Sequence, residues 1–267
     1  MTEWLAPASL EEALELRAEL GDEATVVAGG TFLAILINQR LLSPRTLLSL
    51  RGVPGLDRVS ANGELGLGAL TTHRAVELSP LVRRGWPALA RAFSLVASPR
   101  VRNQATVGGA LADADYASDP PAMLAALRAR AIARSRTGER EIPIEELITG
   151  YYETSLRPDE LIVEVRVPSG SERAVYRKFR SRSHEDRPCV AVAAAVAGGE
   201  LRVVVGAVAA TPQLFPELCR LGDPAEIGRR YAEAIDPLAD SRGSAAYRRR
   251  VIAVEVRRAL EELRWTR

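Results

Sequence analysis

The chain opens with a segment in which apolar residues repeat at the spacing of a helix. The apolar positions of residues 10–20 follow a period of three to four, which predicts an amphipathic helix. Ser9 and Glu12 form a capping box in front of it, and Gly21 is placed to end it.

A second unit follows directly. Residues 25–28 and 46–50 are short apolar runs of the length of strands, and residues 31–40 between them have a helical pattern. Strand, helix and strand within about 25 residues predict a small βαβ unit.

The middle of the chain mixes both periods. Residues 72–83 and 86–96 predict two helices, and residues 131–134 and 161–167 predict strands. The segment 118–129 begins with Ser-Asp-Pro-Pro, a signal for a helix N-terminus, and predicts a further helix.

The pattern changes after Pro168-Ser169-Gly170, which makes this tripeptide the best candidate for a linker. Two apolar runs, 189–197 and 201–209, flank Gly198-Gly199, as is typical of a β-hairpin. Helical patterns close the chain over 223–235 and 244–265. Strands followed by helices indicate an α+β arrangement for this last third.

Composition excludes several classes of protein. Of the 267 residues, 47% are hydrophobic and 26% are charged, which is ordinary for a soluble globular protein. No apolar run approaches the roughly 20 residues that span a bilayer, and the N-terminus has no secretory signal pattern, so we expect a cytoplasmic protein without a membrane span. The net charge of +2 argues against nucleic acid as a partner.

Metal chemistry is not expected in this chain. Cys189 and Cys219 are too few for an iron–sulfur cluster, which takes about four thiolates. The two histidines, His73 and His184, stand far apart in the sequence, which excludes a histidine-rich metal site. Lys178 is the only lysine among 36 basic residues, so either a compact ammonium group is needed there or it is a chance survivor of coding bias.

Two glycine pairs carry the main functional signal. They lie in Val27-Ala28-Gly29-Gly30-Thr31 and in Ala105-Thr106-Val107-Gly108-Gly109, and each is expected to follow an extended segment and to open a helix. Glycine lets the main chain approach an anion, and a first helical turn offers free N–H groups. Two such loops suggest a dinucleotide held from two sides, although a glycine pair also simply makes a turn. Neither loop matches the P-loop or the three-glycine dinucleotide fingerprint.

Three aspartates follow the second glycine pair. Asp113, Asp115 and Asp119 lie within ten residues of Gly109. Three interpretations are open. The aspartates are solvated carboxylates of a loop, they form a metal site without EF-hand spacing, or one of them accepts hydrogen bonds from a ribose.

Four segments together resemble a known family. Val101-Arg102-Asn103-Gln104-Ala105-Thr106-Val107-Gly108-Gly109-Ala110-Leu111-Ala112 is similar to the second FAD motif of the medium, flavin-carrying subunits of molybdenum hydroxylases. That family includes the flavoprotein subunits of carbon monoxide dehydrogenase and xanthine dehydrogenase. The other three matching segments are Ala28-Gly29-Gly30-Thr31-Phe32-Leu33, then Tyr176-Arg177-Lys178-Phe179 with Arg182 and Asp186, and Ser244-Ala245-Ala246-Tyr247-Arg248.

The resemblance implies an α+β fold in three parts. Two N-terminal α/β subdomains, 1–52 and 53–168, would clasp FAD, and a C-terminal antiparallel sheet with helices, 171–267, would complete the pocket. Lys178 would lie by the flavin ring and Asp119 would reach the adenosine ribose. No catalytic or metal-binding residue is expected. The implied FAD-binding residues are Val27, Ala28, Gly29, Gly30, Thr31, Phe32, Leu33, Val96, Thr106, Val107, Gly108, Gly109, Asp119, Leu161 and Lys178.

The chain departs from the family's pattern at three places. Ala110 stands where the family usually has asparagine, and Asp113 and Tyr116 stand where it often has histidine and proline.

The resemblance implies an oxidoreductase subunit that binds FAD and transfers electrons. Its partners would be a small 2Fe–2S subunit, a large molybdopterin-binding subunit and a terminal electron acceptor. The alternatives are a scaffold of the same fold that has lost FAD and a stand-alone NAD(P)-linked enzyme, the latter disfavoured by the missing fingerprint.

Overall fold

The computed structural model describes residues 2–265, and for residues 171 and 172 the backbone alone. Met1, Thr266 and Arg267, at the ends of the first and last predicted domains, lie outside the described residues. The N-terminal part is a three-stranded parallel sheet in the order β1-β3-β2 with two helices. Its elements are β1 (Glu3–Leu5), α1 (Leu10–Leu20), β2 (Ala24–Val27), α2 (Leu33–Asn38) and β3 (Thr46–Ser49).

The capping signals around α1 act as the sequence predicts. The Ser9 hydroxyl accepts a hydrogen bond from the Glu12 N–H at 3.1 Å, and the Glu12 carboxylate accepts one from the Ala8 N–H at 2.7 Å. Gly21 ends the helix with φ +49°, in the left-handed region that glycine tolerates. The βαβ prediction is also confirmed, because β2, α2 and β3 follow one another and the two strands pair in parallel.

The middle part is an antiparallel sheet of five strands in the order β4-β5-β10-β6-β7, with helices packed against it. A separate hairpin of β8 and β9 lies beside it. The elements of the middle part are β4 (Val59–Ala61), β5 (Glu64–Gly68), α3 (His73–Leu78), α4 (Pro80–Gly85), α5 (Pro87–Ser94), α6 (Pro99–Arg102), α7 (Val107–Ala112), α8 (Pro120–Ala126), β6 (Arg130–Ser135), β7 (Gly138–Pro143), α9 (Ile144–Leu147), β8 (Ile148–Gly150), β9 (Glu153–Thr154) and β10 (Leu161–Pro168).

The C-terminal part is an antiparallel sheet in the order β11-β12-β13-β14, followed by two helices. The predicted hairpin is confirmed: Gly198 and Gly199 have φ +57° and +75° and join β12 to β13. The α+β class and the C-terminal antiparallel sheet with helices are therefore confirmed. The elements are β11 (Ser171–Phe179), β12 (Val190–Ala197), β13 (Glu200–Gly206), β14 (Gln213–Leu214), α10 (Pro224–Ala234) and α11 (Ala245–Glu262).

Strand β12 is buried on both faces, which explains its unbroken apolar sequence. Successive side chains of a strand point to opposite faces. Its valines pack with α10 and α11 in the C-terminal core. Its alanines Ala191, Ala193 and Ala195 join the core of the middle part, which includes α8. The small alanine side chains let α8 pack close to the sheet, so the middle and C-terminal parts share one strand.

One secondary-structure prediction is wrong, and a second holds only in part. The single helix predicted over 72–83 is broken at Ser79 into α3 and α4, because Pro80 has no N–H to continue the ladder and the Ser79 hydroxyl caps the new helix. The second glycine pair opens a helix as expected, since Gly108 and Gly109 lie in the first turn of α7. The extended segment before it is short, because Thr106, which forms a β-bridge with Thr72, follows soon after the short helix α6.

A fully buried arginine ties α11 to the sheet. The Arg248 guanidinium donates to the carbonyl oxygens of Cys189 and Ala207 and to Asp240 Oδ1 at 2.6 Å. Burial alone would raise the pKa of Asp240. Hydrogen bonds from the Arg242 main-chain N–H and from Arg248 outweigh this effect and lower the pKa to about 2.

Arg248 should therefore matter far more for stability than the arginine next to it. Arg248→Met leaves the Cys189 and Ala207 carbonyl oxygens without this donor and removes a buried cation that faces Asp240, and we expect a loss of about 3–5 kcal/mol. Arg249, which pairs with Asp236 in an exposed ion pair at 2.6 Å, is the matched control, and Arg249→Met should cost about 1 kcal/mol or less. Urea unfolding of both variants measures the difference, and equal losses would contradict it.

Candidate functional site

The two glycine-containing segments touch each other. A Cβ atom added to Gly29 would lie 1.9 Å from the Gln104 carbonyl oxygen, and one added to Gly109 would lie 3.8 Å from the Ala28 Cβ. Only a residue without a side chain fits between these main chains at Gly29. The contact joins the N-terminal part to the middle part.

The first segment presents a row of free main-chain donors. Among residues 2–265, no group accepts a hydrogen bond from the main-chain N–H groups of Gly29, Gly30, Thr31, Phe32 or Leu33. Gly30 has φ +69°, which turns the chain at this point. Consecutive free N–H groups at such a turn and at a helix start form a concave site for an anion.

In the second segment, the main-chain N–H groups of residues 107–109 are not free, contrary to the prediction. Within it, the Val107 and Gly108 N–H groups donate to the carbonyl oxygens of Thr71 and Ala69, at 3.0 and 2.8 Å. The Gly109 N–H donates to the Thr106 hydroxyl at 3.1 Å, which caps α7. These three N–H groups are thus already used. The second segment offers the Thr106 hydroxyl proton and a close-packed wall.

A buried histidine supports Thr106 from behind. Burial lowers the pKa of His73 to about 4, so its ring is neutral at physiological pH. The His73 Nε2 atom lies 3.2 Å from the main-chain carbonyl oxygen of Thr106. Because a carbonyl oxygen only accepts, Nε2 carries the proton and donates it to this bond.

Both segments line one cavity of about 680 Å³. A cavity of this size suits a large organic cofactor. Fourteen of the fifteen residues that the resemblance implied line it, whereas Val107 is buried and does not. The fourteen are Val27, Ala28, Gly29, Gly30, Thr31, Phe32, Leu33, Val96, Thr106, Gly108, Gly109, Asp119, Leu161 and Lys178.

Lys178 and Asp119 form a buried ion pair in this cavity wall. Lys178 Nζ donates to Asp119 Oδ2 at 2.8 Å, and the two side chains are 1% and 4% exposed. The Tyr176 hydroxyl donates to Asp119 Oδ1 at 2.7 Å. Asp119 is therefore not the helix cap that its position before α8 suggested. Burial raises the pKa of Asp119 and lowers that of Lys178, and their mutual attraction opposes both shifts.

Two buried cations hold the turn that carries Val96. Lys178 Nζ also donates to the Leu95 carbonyl oxygen at 2.8 Å. Arg102 Nη1 donates to the Val96 and Ala97 carbonyl oxygens at 2.8 and 3.0 Å. Ala97 has φ +38°, a conformation that an L-residue keeps only when its surroundings enforce it. The position of Val96 in the cavity wall thus depends on both cations.

The side chains that follow the second glycine pair have different partners. Asp115 binds Arg187 at 2.8 Å, and the Arg187 guanidinium lies over the Phe32 ring at 5.9 Å. Asp113 lines the cavity, and burial together with the nearby Asp115 charge raises its pKa to about 7. Tyr116 instead donates to Asp240 at 3.2 Å. Within the described part of the chain, these side chains form no metal-ligating group of three.

Sequence reasoning missed three residues that shape this wall. Arg102 and Tyr176 stand inside the quoted motifs, but nothing in the sequence shows that they bind a turn and a carboxylate. Arg187 lies in the loop between β11 and β12, and only the fold brings it to Phe32.

Among residues 2–265, no helix has the length and apolar character needed to cross a bilayer.

Comparisons with known proteins found one matching family model and several similar chains. Residues 1–170 match the family model of the FAD binding domain in molybdopterin dehydrogenase. The chain is 36% identical to the 6-hydroxypseudooxynicotine dehydrogenase complex subunit alpha of Paenarthrobacter nicotinovorans, over 94% of this chain and 90% of that protein. It is 32% identical to the nicotine 6-hydroxylase medium subunit of the same organism, over 97% and 96%. A chain of the reconstituted CO dehydrogenase from Oligotropha carboxidovorans superposes with a TM-score of 0.93 at 26% identity, over 100% and 99% of the two chains.

The glycines should differ in how a methyl group harms the site. Gly30→Ala has room, with its nearest neighbour at 3.8 Å, but strains a backbone with φ +69° by about 1–2 kcal/mol. We expect a folded protein whose affinity for FAD falls about tenfold. Gly29→Ala meets the Gln104 main chain and should lose both stability and FAD. Gly138→Ala, which meets no atom within 4 Å, is the control for both, and fluorescence titration with FAD measures all three.

The pKa of Asp113 predicts a pH dependence. A carboxyl whose pKa is raised on folding binds its proton more tightly in the folded state, so stability falls as the pH rises towards 7 and levels off above it. An ionised Asp113 also repels an anionic ligand. We expect FAD to bind several-fold more tightly at about pH 6 than at about pH 8. Asp113→Asn should remove most of the difference, and Asp57→Asn, at an exposed position that does not line the cavity, should not. An unchanged pH profile in Asp113→Asn would contradict the assignment.

Proposed function

Because the chain belongs to the family of FAD-binding domains of molybdopterin dehydrogenases, we propose that it carries electrons between subunits of a molybdenum hydroxylase complex. It is an FAD-binding subunit of an oxidoreductase of this type, and the resemblance seen in the sequence is confirmed. In our proposal it receives electrons from iron–sulfur clusters of a small partner subunit and passes them to a terminal acceptor. A large molybdopterin-binding subunit would oxidise the substrate.

One observation carries the proposal: the free N–H groups of Gly29–Leu33 open into the same cavity as the second glycine pair. FAD has a pyrophosphate near its middle and an extended group at each end. The free N–H groups and the Thr106 hydroxyl are donors for the pyrophosphate, and the cavity of about 680 Å³ has room for a large cofactor. The residues present therefore fit FAD.

The chain's own residues bind and orient the cofactor. The Gly29–Leu33 N–H groups would hold the pyrophosphate, and the Thr106 hydroxyl would donate to it or to a neighbouring oxygen. Val96 and Leu161 would pack against its flat ends. The Lys178–Asp119 pair would provide polar contacts in a site shielded from water. When bound, FAD supplies the redox chemistry, taking up and releasing two electrons and two protons.

The cysteines support the division of labour. Cys189 and Cys219 are 0% and 4% exposed, and Cys219 Sγ lies 3.3 Å from the Tyr231 hydroxyl. Burial raises the pKa of both thiols, so neither is a ready thiolate ligand. The clusters that reduce the flavin would therefore lie on another chain.

The second candidate is a scaffold that keeps the fold without FAD, which the Ala110 and Asp113 departures favour. An absorption spectrum of the purified chain separates the two. Flavin bands at a stoichiometry near one support our proposal, and a colourless protein that does not take up added FAD supports the scaffold. Stoichiometric iron or molybdenum on this chain alone would contradict the division of labour.

Substitutions of the ion pair test whether its charge acts on the flavin. Lys178→Met leaves Asp119 buried without its partner, so we expect a stability loss of about 3–5 kcal/mol and weaker FAD binding. The double variant Lys178→Met/Asp119→Asn removes both charges and should be less damaged. A nearby negative charge disfavours reduction, so the flavin reduction potential should decrease from wild type to the double variant to Lys178→Met. Equal potentials in all three proteins would place the pair away from the ring.

A further inference from the structure

A second cavity shares Lys178 with the cofactor cavity. It is formed by residues of α5, β11 and α11 and has a volume of about 440 Å³. Small organic ligands occupy cavities of about 300–1,000 Å³. Part of its wall is apolar and comes from Pro87, Ala88, Leu95, Ala174 and Val175. Apart from Tyr176, the other lining side chains are charged, and they are Arg91, Arg177, Lys178, Arg180, Glu255 and Glu262.

The two carboxylates of the second cavity already have cationic partners. Glu255 accepts hydrogen bonds from the guanidinium groups of Arg177 and Arg258, both at 2.9 Å. Glu262 accepts one from Arg177 at 2.8 Å. Neither carboxylate therefore needs a further cation from the cavity wall.

Two arginines of the second cavity have no such partner. Within the part of the chain that the structure describes, neither Arg91 nor Arg180 forms an ion pair or a side-chain hydrogen bond. The Arg180 Nε atom is buried and still has no acceptor there. Asp186, whose charge acts on Lys178, does not line the cavity and accepts a hydrogen bond from the Ser183 N–H. A buried donor without an acceptor calls for a ligand that supplies one.

The chemistry of the two free arginines indicates a phosphate group. A guanidinium group donates a fork of hydrogen bonds that matches carboxylate or phosphate oxygens. Arg91 on α5 and Arg180 after β11 together present two forks and two positive charges. A phosphate monoester carries a charge of about −1.5 to −2 at pH 7 and three acceptor oxygens. A carboxylate offers one charge and matches only one fork.

Lys178 connects the second cavity to the cofactor cavity. Its ammonium group has three protons. Two of them are donated to Asp119 and to the Leu95 carbonyl oxygen. No described residue accepts the third proton. Because Lys178 lines both cavities, this proton is available to a ligand in either of them.

We propose that the second cavity binds a phosphate group through Arg91 and Arg180, and that this ligand acts on the cofactor site through Lys178. The action on the cofactor rests on the proposed function, whereas the binding site does not. An anion next to Lys178 offsets its positive charge, so negative charge on a reduced flavin is stabilised less well. The coupling is reciprocal, so reduction of the flavin should also weaken binding of the phosphate group.

Calorimetric titration of the FAD-loaded chain with glycerol 3-phosphate tests the site. Bound FAD occupies the first cavity, so the added anion does not bind there. Arg91→Gln and Arg180→Gln should each weaken binding about tenfold or more, because each removes charge-assisted hydrogen bonds. The matched control is Arg84→Gln, at an exposed position of α4 that lines neither cavity, and it should bind as wild type does. All three variants should unfold as wild type does, since no ion pair is lost.

Two further titrations identify the ligand. Glycerol 3-phosphate that binds more tightly than inorganic phosphate supports an organic monoester as the occupant, and equal affinities support the free ion. Acetate should bind at least tenfold more weakly than both. Acetate that binds as tightly would overturn the phosphate assignment. Unchanged affinity in Arg91→Gln and Arg180→Gln, or an equal loss in Arg84→Gln, would overturn the site itself.

The flavin reduction potential separates this inference from the proposed function. Saturating glycerol 3-phosphate should lower the potential of wild type and leave that of Arg180→Gln unchanged. A wild-type potential that does not move while the ligand binds would overturn the coupling through Lys178. A flavin that substrate never reduces in the complete complex would refute the proposed function. The arginine dependence of phosphate binding would still decide the second site in that case.

Discussion

The close approach of two main chains at Gly29 is the constraint on which the site depends. The Gln104 carbonyl group occupies the space that any side chain at position 29 would need. This contact brings the turn before α2 against the segment that begins α7, and the cavity lies along the line where they meet. The site therefore lies at the interface between the N-terminal and middle parts of the chain. Its shape depends on how these parts pack as much as on any single residue.

Local signals along the chain account for most of the helices and strands. Capping residues, the glycine hairpin and the periodicity of α10 and α11 are properties of neighbouring residues, and they could be read directly. The errors occurred where one local preference competed with another. Pro80 interrupts an otherwise helical pattern, and the short helix α6 stands where most of an extended segment was expected before the second glycine pair.

The cavity wall could be named from the resemblance but not explained by it. Fourteen of the fifteen named residues line the cavity, yet their interactions join positions far apart in the chain. Lys178 and Asp119 are 59 positions apart, and Arg187 and Asp115 are 72 apart. A single sequence contains no information on such pairs, because the packing of β11 on the middle part creates them. The role of each named residue in binding FAD stays a prediction.

The shared strand β12 has a consequence for how such chains can be recombined. The matched family segment ends at residue 170, before the C-terminal sheet begins. A fragment cut there would expose α8 to water, because Ala191, Ala193 and Ala195 cover it. Lys178 would be removed with the same cut, leaving Asp119 without its counter-ion. The first two parts therefore do not form a self-contained unit, and a transplant of these parts alone would begin with an open core and an unbalanced charge.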